Sequence, residues 1–168
     1  MGITLEALAQ DYAENLAALE KKIGYSFKEI TLLQTSLIHS SFAFERMDGG
    51  QHNETLEFLG DAVLDLAVGH ILFIRFPKLR EGKLTRIRSA LVNETGLADV
   101  ARALGLGEYL LLGRGEDSSN GREKSSILSC AYEAMVGAIF LDGGYLAVQE
   151  YVRRTFTPRI EKYGEQLT

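Results

Sequence analysis

Between Asn53 and Pro77 the chain has room for one uninterrupted helix, and this stretch restricts the possible folds more than any other. The segment HNETLEFLGDAVLDLAVGHILF, residues 52–73, repeats apolar residues at the three- and four-residue spacing of a helix that has to be packed. Asn53 is placed to cap it, and Phe76, standing before Pro77, is pushed out of the helical region, so the helix is predicted to end near Arg75. Yet the segment carries Glu54, Glu57, Asp61 and Asp65, with no Lys or Arg from 54 to 74. The first three acids stand at i, i+3 and i+7 and project from one face, with Asp65 one turn further on. Solvated acidic faces are common, but they usually mix both signs of charge.

Helical spacing recurs almost throughout, and no run alternates with a period of two, so the fold class is all-α. One amphipathic helix is predicted from Leu5 to Ile23, stopped by Gly24. A second opens on a capping box of Ser26 and Glu29 and runs through Ile30, Leu33, Leu37 and Ile38. Further helices start at Thr85 and run through Leu97 to a stop at Gly105. Residues 113–126, GRGEDSSNGREKSS, read as a functional or mobile loop. Ser125 or Ser126 caps the apolar helix ILSCAYEAMVGAIFLD, which Gly143 and Gly144 stop. A last helix is interrupted near Pro158 and fades into a polar tail.

Glu133 is the only charge between Ser125 and Leu141, and no Lys or Arg occurs from 125 to 152. A carboxylate buried in such surroundings needs a partner or must become neutral. Two readings stand side by side. The acid-bearing helices face one another across a divalent ion, or the acids are dispersed and partly solvated. An all-oxygen donor set points to a hard ion, Mg²⁺ or Mn²⁺, and through it to phosphate chemistry. A di-iron bundle would need Glu-x-x-His, which is absent, and His39, His52 and His70 are scattered, so zinc and histidine-based hydrolysis find no support. The glycine-rich stretch lacks the phosphate-loop pattern, although Arg122 and Lys124 are candidates for contacts to a nucleic-acid backbone.

The net charge of -5 and a pI near 5.3 give no electrostatic sign of a nucleic-acid partner. Cys130 is the single cysteine, which excludes an internal disulfide and fits a reducing compartment, so the expected location is the cytoplasm. The N-terminus has acids where a secretory signal is basic. The most apolar stretches, 62–74 and 134–141, are too short for a membrane span, and the expectation is a soluble protein of one domain.

HNETLEFLGDAVL at 52–64, FPKLREGKLTRIRSALVNE, and the stretch from GRGEDSSNGREKSSIL through YEAMVGAIFLDGG resemble, in order and spacing, the endonuclease domain of bacterial ribonuclease III. The likeness spans roughly residues 15–160. It implies an all-helical homodimer that cuts double-stranded RNA with Mg²⁺, for which Mn²⁺ can substitute, leaving 5′-phosphates, 3′-hydroxyls and short 3′ overhangs in rRNA and mRNA processing. By position, Glu57, Asp61 and Glu133 match the metal-site acids, with Asp61 and Glu133 the catalytic pair. Glu54 and Glu81 match accessory acids, and Phe58 matches an aromatic knob that enters the partner subunit. The family commonly has Asp where this chain has Cys130, a soft donor poorly suited to Mg²⁺. The expectation is an active site with three acids per subunit and weakened Mg²⁺ affinity; the alternative is a non-cleaving RNA-binding or dimerisation module. Residues 1–160 are expected to form the nuclease domain, and 161–168 a polar tail starting a linker to a double-stranded-RNA-binding domain.

Overall fold

The computed structural model describes residues 1–167; Thr168, the last residue of the expected tail, lies outside them. Among the described residues, nine α-helices and two short 3-10 turns make up the regular structure. Among the described residues the only β pairing is a parallel bridge between Ile38 and Leu111. The all-α class therefore holds.

Two helices form the centre, α5 (Glu54–Arg75) and α9 (Ser125–Leu167). α5 ends before Phe76 as its Pro77 dictates. α9 is not straight: Gly144 has φ 80° and ψ -177°, a conformation only glycine adopts at low cost. Tyr132 and Tyr151 would stand about 28 Å apart along a straight helix. Their rings lie 6.4 Å apart and their hydroxyls 2.8 Å apart, so the chain reverses at Gly144 and α9 is two arms folded together. The expected stop at Gly143 and Gly144 is thus real. The expected interruption at Pro158 is not, because buried Phe156 and Ile160 hold the flanking turns in the core. Residues 161–167 continue the helix instead of forming a separate tail, with Tyr163 packed against the core.

Other departures have tertiary causes. The single helix expected over 5–23 is two, α1 (Leu5–Asp11) and α2 (Ala13–Ile23), broken at Tyr12. Leu8 packs with Ile38 and Phe42, whereas Ala9, Leu16, Leu19 and Ile23 enter the main core, so the break lies where the chain passes between two clusters. α3 (Ile30–Ser36) starts later than Ser26 predicts. Its entry is held by Asp142 of α9, which accepts from the backbone N–H groups of Lys28 (3.0 Å) and Glu29 (2.8 Å). The short α4 (Ser40–Arg46) was not legible in the sequence; His39 Nδ1 accepts from the Ser41 N–H at its start. Asn53 precedes α5 without capping it, because its buried side chain donates to the Ser36 carbonyl instead. α6 (Glu81–Val92) begins a turn before Thr85, and α7 (Glu94–Leu104) ends at Gly105 as expected. The segment 113–126 is not a free loop: it holds α8 (Arg114–Ser118) and a 3-10 turn at Gly121–Glu123.

One 18-residue window of α9 reaches a mean hydropathy of 1.3, the level of a membrane span, which the shorter apolar stretches did not suggest. Because 61% of that window is buried inside the fold, its apolarity is that of a core helix.

Candidate metal centre

α5 and α9 cross where both backbones lack a side chain. A Cβ on Gly60 would sit 1.7 Å from the Glu133 carbonyl oxygen, and one on Gly137 would sit 2.4 Å from that of Leu56. Buried Ala134 and Ala138 pack with Leu56 at the same crossing. This contact places Asp61, the residue after Gly60, against Glu133.

The carboxyl groups of Glu133 and Asp61 lie within hydrogen-bonding reach, and Glu57 and Asp65 add their charges. Burial first, then Asp61 and the other acids, push the Glu133 carboxyl up to about 8. At neutral pH without a cation, Glu133 therefore holds a proton facing Asp61. Cys130, one turn earlier, lies beside Glu57 and near Glu133. Burial, followed by the Glu57 carboxylate, pushes its thiol up to about 12. Asp65 is also raised, by burial and then by Asp61, against the opposing charge of Arg88.

Among the described residues, no three acid, imidazole or thiol groups converge on one point at ligand spacing. The donor set nevertheless fits a divalent cation. A half-buried acid pressed by other acids, with no Lys or Arg among the influences on it, is the environment such an ion relieves. Glu57, Asp61, Glu133 and Cys130 are the groups that would hold it.

The structure thus gathers four of the sequence-predicted residues and adds Asp65, which sequence reasoning noticed as an acid but left out of the site. Its signal was the i+4 spacing from Asp61. Glu54 stands apart on the exposed first turn of α5, with its nearest partner His52 at 4.0 Å. Glu81 accepts from Thr85 Oγ1 at 2.6 Å and shares a groove with Asp65 and Arg88. Phe58 is 83% exposed, on one stripe of α5 with exposed Leu66 and Phe73. His70 bonds Tyr145 and Gln149 rather than any acid.

Arg122 and Lys124, the candidates for contacts to a nucleic-acid backbone, are engaged within the fold. Arg122 donates to Asp117 and to the carbonyls of Gly107 and Leu110, and Lys124 Nζ lies 2.7 Å from Glu116 Oε2. Both fasten their own loop. Untied cations stand elsewhere: Lys78, Arg80, Lys83 and Arg86 are exposed and, among the described residues, have no side-chain hydrogen bond or ion pair. Their signal was visible, since residues 75–88 hold six of the 18 basic residues and a single acid.

A family model described as ribonuclease-III-like matches residues 29–160. The chain belongs to this family. The ribonuclease 3 of Desulfotalea psychrophila is 58% identical over 167 residues, covering 99% of this chain and 69% of that protein. The nuclease domain of ribonuclease III from Campylobacter jejuni superposes with a TM-score of 0.79 at 43% identity, covering 86% of this chain and 95% of that one. A further structure of the same Campylobacter domain, with a TM-score of 0.76 and 45% identity over 82% of this chain and 92% of that one, concerns flexibility in a region involved in dimer formation. The chain spans 69%, 62% and 59% of the lengths of three ribonuclease 3 relatives. Membership makes the fold that of the ribonuclease III nuclease domain. It also carries endoribonuclease chemistry that depends on a divalent metal.

Proposed function

We propose that this chain is the catalytic domain of a double-stranded-RNA endoribonuclease that uses Mg²⁺ and accepts Mn²⁺. The observation that carries this reading is Glu133, pressed by Asp61, Glu57 and Asp65 at a crossing where only glycine fits. When bound, the divalent ion would activate water and neutralise charge developing on the scissile phosphate. Glu57, Asp61 and Glu133 would hold it, with Asp61 and Glu133 the catalytic pair and Glu54 and Glu81 at the edge of the site. The products would be 5′-phosphate and 3′-hydroxyl ends with short 3′ overhangs. RNA of this form is read through its backbone and A-form shape. The untied Lys78, Arg80, Lys83 and Arg86 are therefore better candidates for phosphate contacts than Arg122 and Lys124. A non-cleaving module has no use for such a cluster, and nothing in the site favours it.

The working form in this proposal is a homodimer in the cytoplasm, with rRNA and mRNA among its targets. Exposed Phe58, Leu66 and Phe73 form the apolar stripe a second copy would cover, and the lone thiol of Cys130 suits a reducing compartment. The lead-in role of 161–168 toward a double-stranded-RNA-binding domain belongs to the same proposal.

Cleavage of a plain RNA duplex with Mg²⁺, lost in Glu133→Ala while the helical circular dichroism is retained, is the expected result. A Glu133→Ala protein that still cuts would remove Glu133 from the reaction. Sedimentation should give a dimer that Phe58→Ala weakens, and a monomeric parent would overturn the dimer.

A further inference from the structure

The groove between α5 and α6 holds a cation among acids that it does not pair with. α6 turns Glu81, Thr85 and Arg88 toward this groove at i, i+4 and i+7, and α5 lines it with Asp65, Leu66, Gly69 and Phe73. Glu81 is already engaged, accepting from Thr85 Oγ1 at 2.6 Å. Arg88 is half-buried and, among the described residues, its guanidinium has no ion pair and no hydrogen bond, although Asp65 and Glu81 share the groove. It lies instead across α5 where that helix has no side chain. A Cβ on Gly69 would sit 3.3 Å from Arg88 Nη1 and 3.7 Å from its Cδ, so the glycine makes the seat in which the arm rests. A guanidinium with its donors unspent suits an oxyanion, and a stem already packed loses little freedom in gripping one.

We infer that Arg88 binds substrate, gripping an RNA backbone phosphate that flanks the scissile one, and that Gly69 is the positioning residue that seats it. The inference rests on the ribonuclease reading and adds a contact to it. Gly69 stands about 12 Å beyond Asp61 along α5, too far for the phosphate held at the acids and within reach of one flanking it. Phosphate contacts fix register and carry no sequence, so Arg88 sets how the strand lies over the acids.

The test uses duplex RNA, plain or carrying a single uncharged methylphosphonate at successive positions beside the cleaved bond. In chelator, Arg88→Gln should bind the plain duplex about tenfold or more weakly than the parent and lower the salt slope by about one unit, with Arg88→Lys recovering part of the loss. At one position the methylphosphonate should weaken the parent by a similar factor and add nothing in Arg88→Gln. Gly69→Ala should weaken RNA binding while its melting temperature holds, which a merely structural glycine would not show. Sedimentation of Arg88→Gln should match the parent. Parent-like binding by Arg88→Gln, or methylphosphonate losses equal in both proteins at every position, would overturn the inference. So would a weakened dimer in Arg88→Gln, which reassigns the arginine to a contact between copies. Cleavage by the parent with Mg²⁺ is measured on the same duplex. Cleavage without dependence on Arg88 defeats this inference alone, and Arg88-dependent binding without cleavage defeats the ribonuclease reading alone. A parent that neither binds nor cleaves the duplex defeats both.

Discussion

Two charged regions of this molecule solve the same problem in opposite ways. Over 113–126 each cation finds an anion or carbonyl nearby: Arg122 with Asp117, Lys124 with Glu116, and Arg114 with Glu45. At the crossing of α5 and α9, Glu133 is pressed by Asp61, Glu57 and Asp65, and Arg88 opposes the acids at Asp65. Charges balanced within the chain build structure, and unbalanced ones are held ready for something from outside. The region that read as a mobile or functional loop is fastened to the rest of the fold, while the helix pair singled out for its uncompensated acids keeps them uncompensated.

The largest effect expected from breaking this contrast is at the crossing. Asp61→Asn should lower the rate of duplex cleavage on the order of 10²–10³-fold, as losing one stabiliser of transition-state charge does, and single-turnover kinetics would measure it. Gly60→Ala should destabilise the fold by at least about 1–3 kcal/mol, since its methyl has to displace backbone rather than a flexible side chain. Thermal unfolding would show it as a drop of several degrees. In the fastened region, Arg122→Ala should cost about 1–3 kcal/mol by removing the donor to the Leu110 carbonyl and one of the two donors to that of Gly107, yet leave RNA affinity unchanged. Replacing Lys83 or Arg86 by Gln should do the reverse, lowering the salt dependence of RNA binding by about one unit per residue with unchanged stability.

A further expected effect concerns pH. Glu133 binds its proton more tightly folded than unfolded, so its contribution to stability is complete below about pH 4.5 and lost as pH rises toward about 8. The metal-free protein should therefore melt lower at pH 8.5 than at pH 5. Glu133→Gln should flatten that slope, and a divalent ion should restore the alkaline loss. A slope that persists in Glu133→Gln would assign the effect to other groups.

Much of the site was legible in the residues themselves. Acids at helical spacing without a local cation marked Glu57, Asp61 and Glu133, while Cys130 was matched to the site only by the family resemblance. What misled was reading charges one at a time. The partners of Arg122 and Lys124 were not legible, because Gly107, Leu110 and Glu116 reach them only on folding. Lys78, Arg80, Lys83 and Arg86 were overlooked because the chain as a whole is acidic, and net charge hides a local excess. Asn53 read as a cap because its spacing is right, but burial offered its side chain a carbonyl instead.

By itself the sequence determined the local rules: the helical class from its period, the ends of α5 and α7 from Pro77 and Gly105, the stop at Gly143 and Gly144, and the supply of acids without cations. These depend on residues within a few positions of one another. Only the tertiary structure decided that Gly60 and Gly137 would meet, that Asp142 would hold the entry of α3, that Tyr12 would break a helix between two cores, and that Pro158 would not break one. Each of those outcomes depends on packing between distant segments, where burial and close backbone approach outweigh local preference.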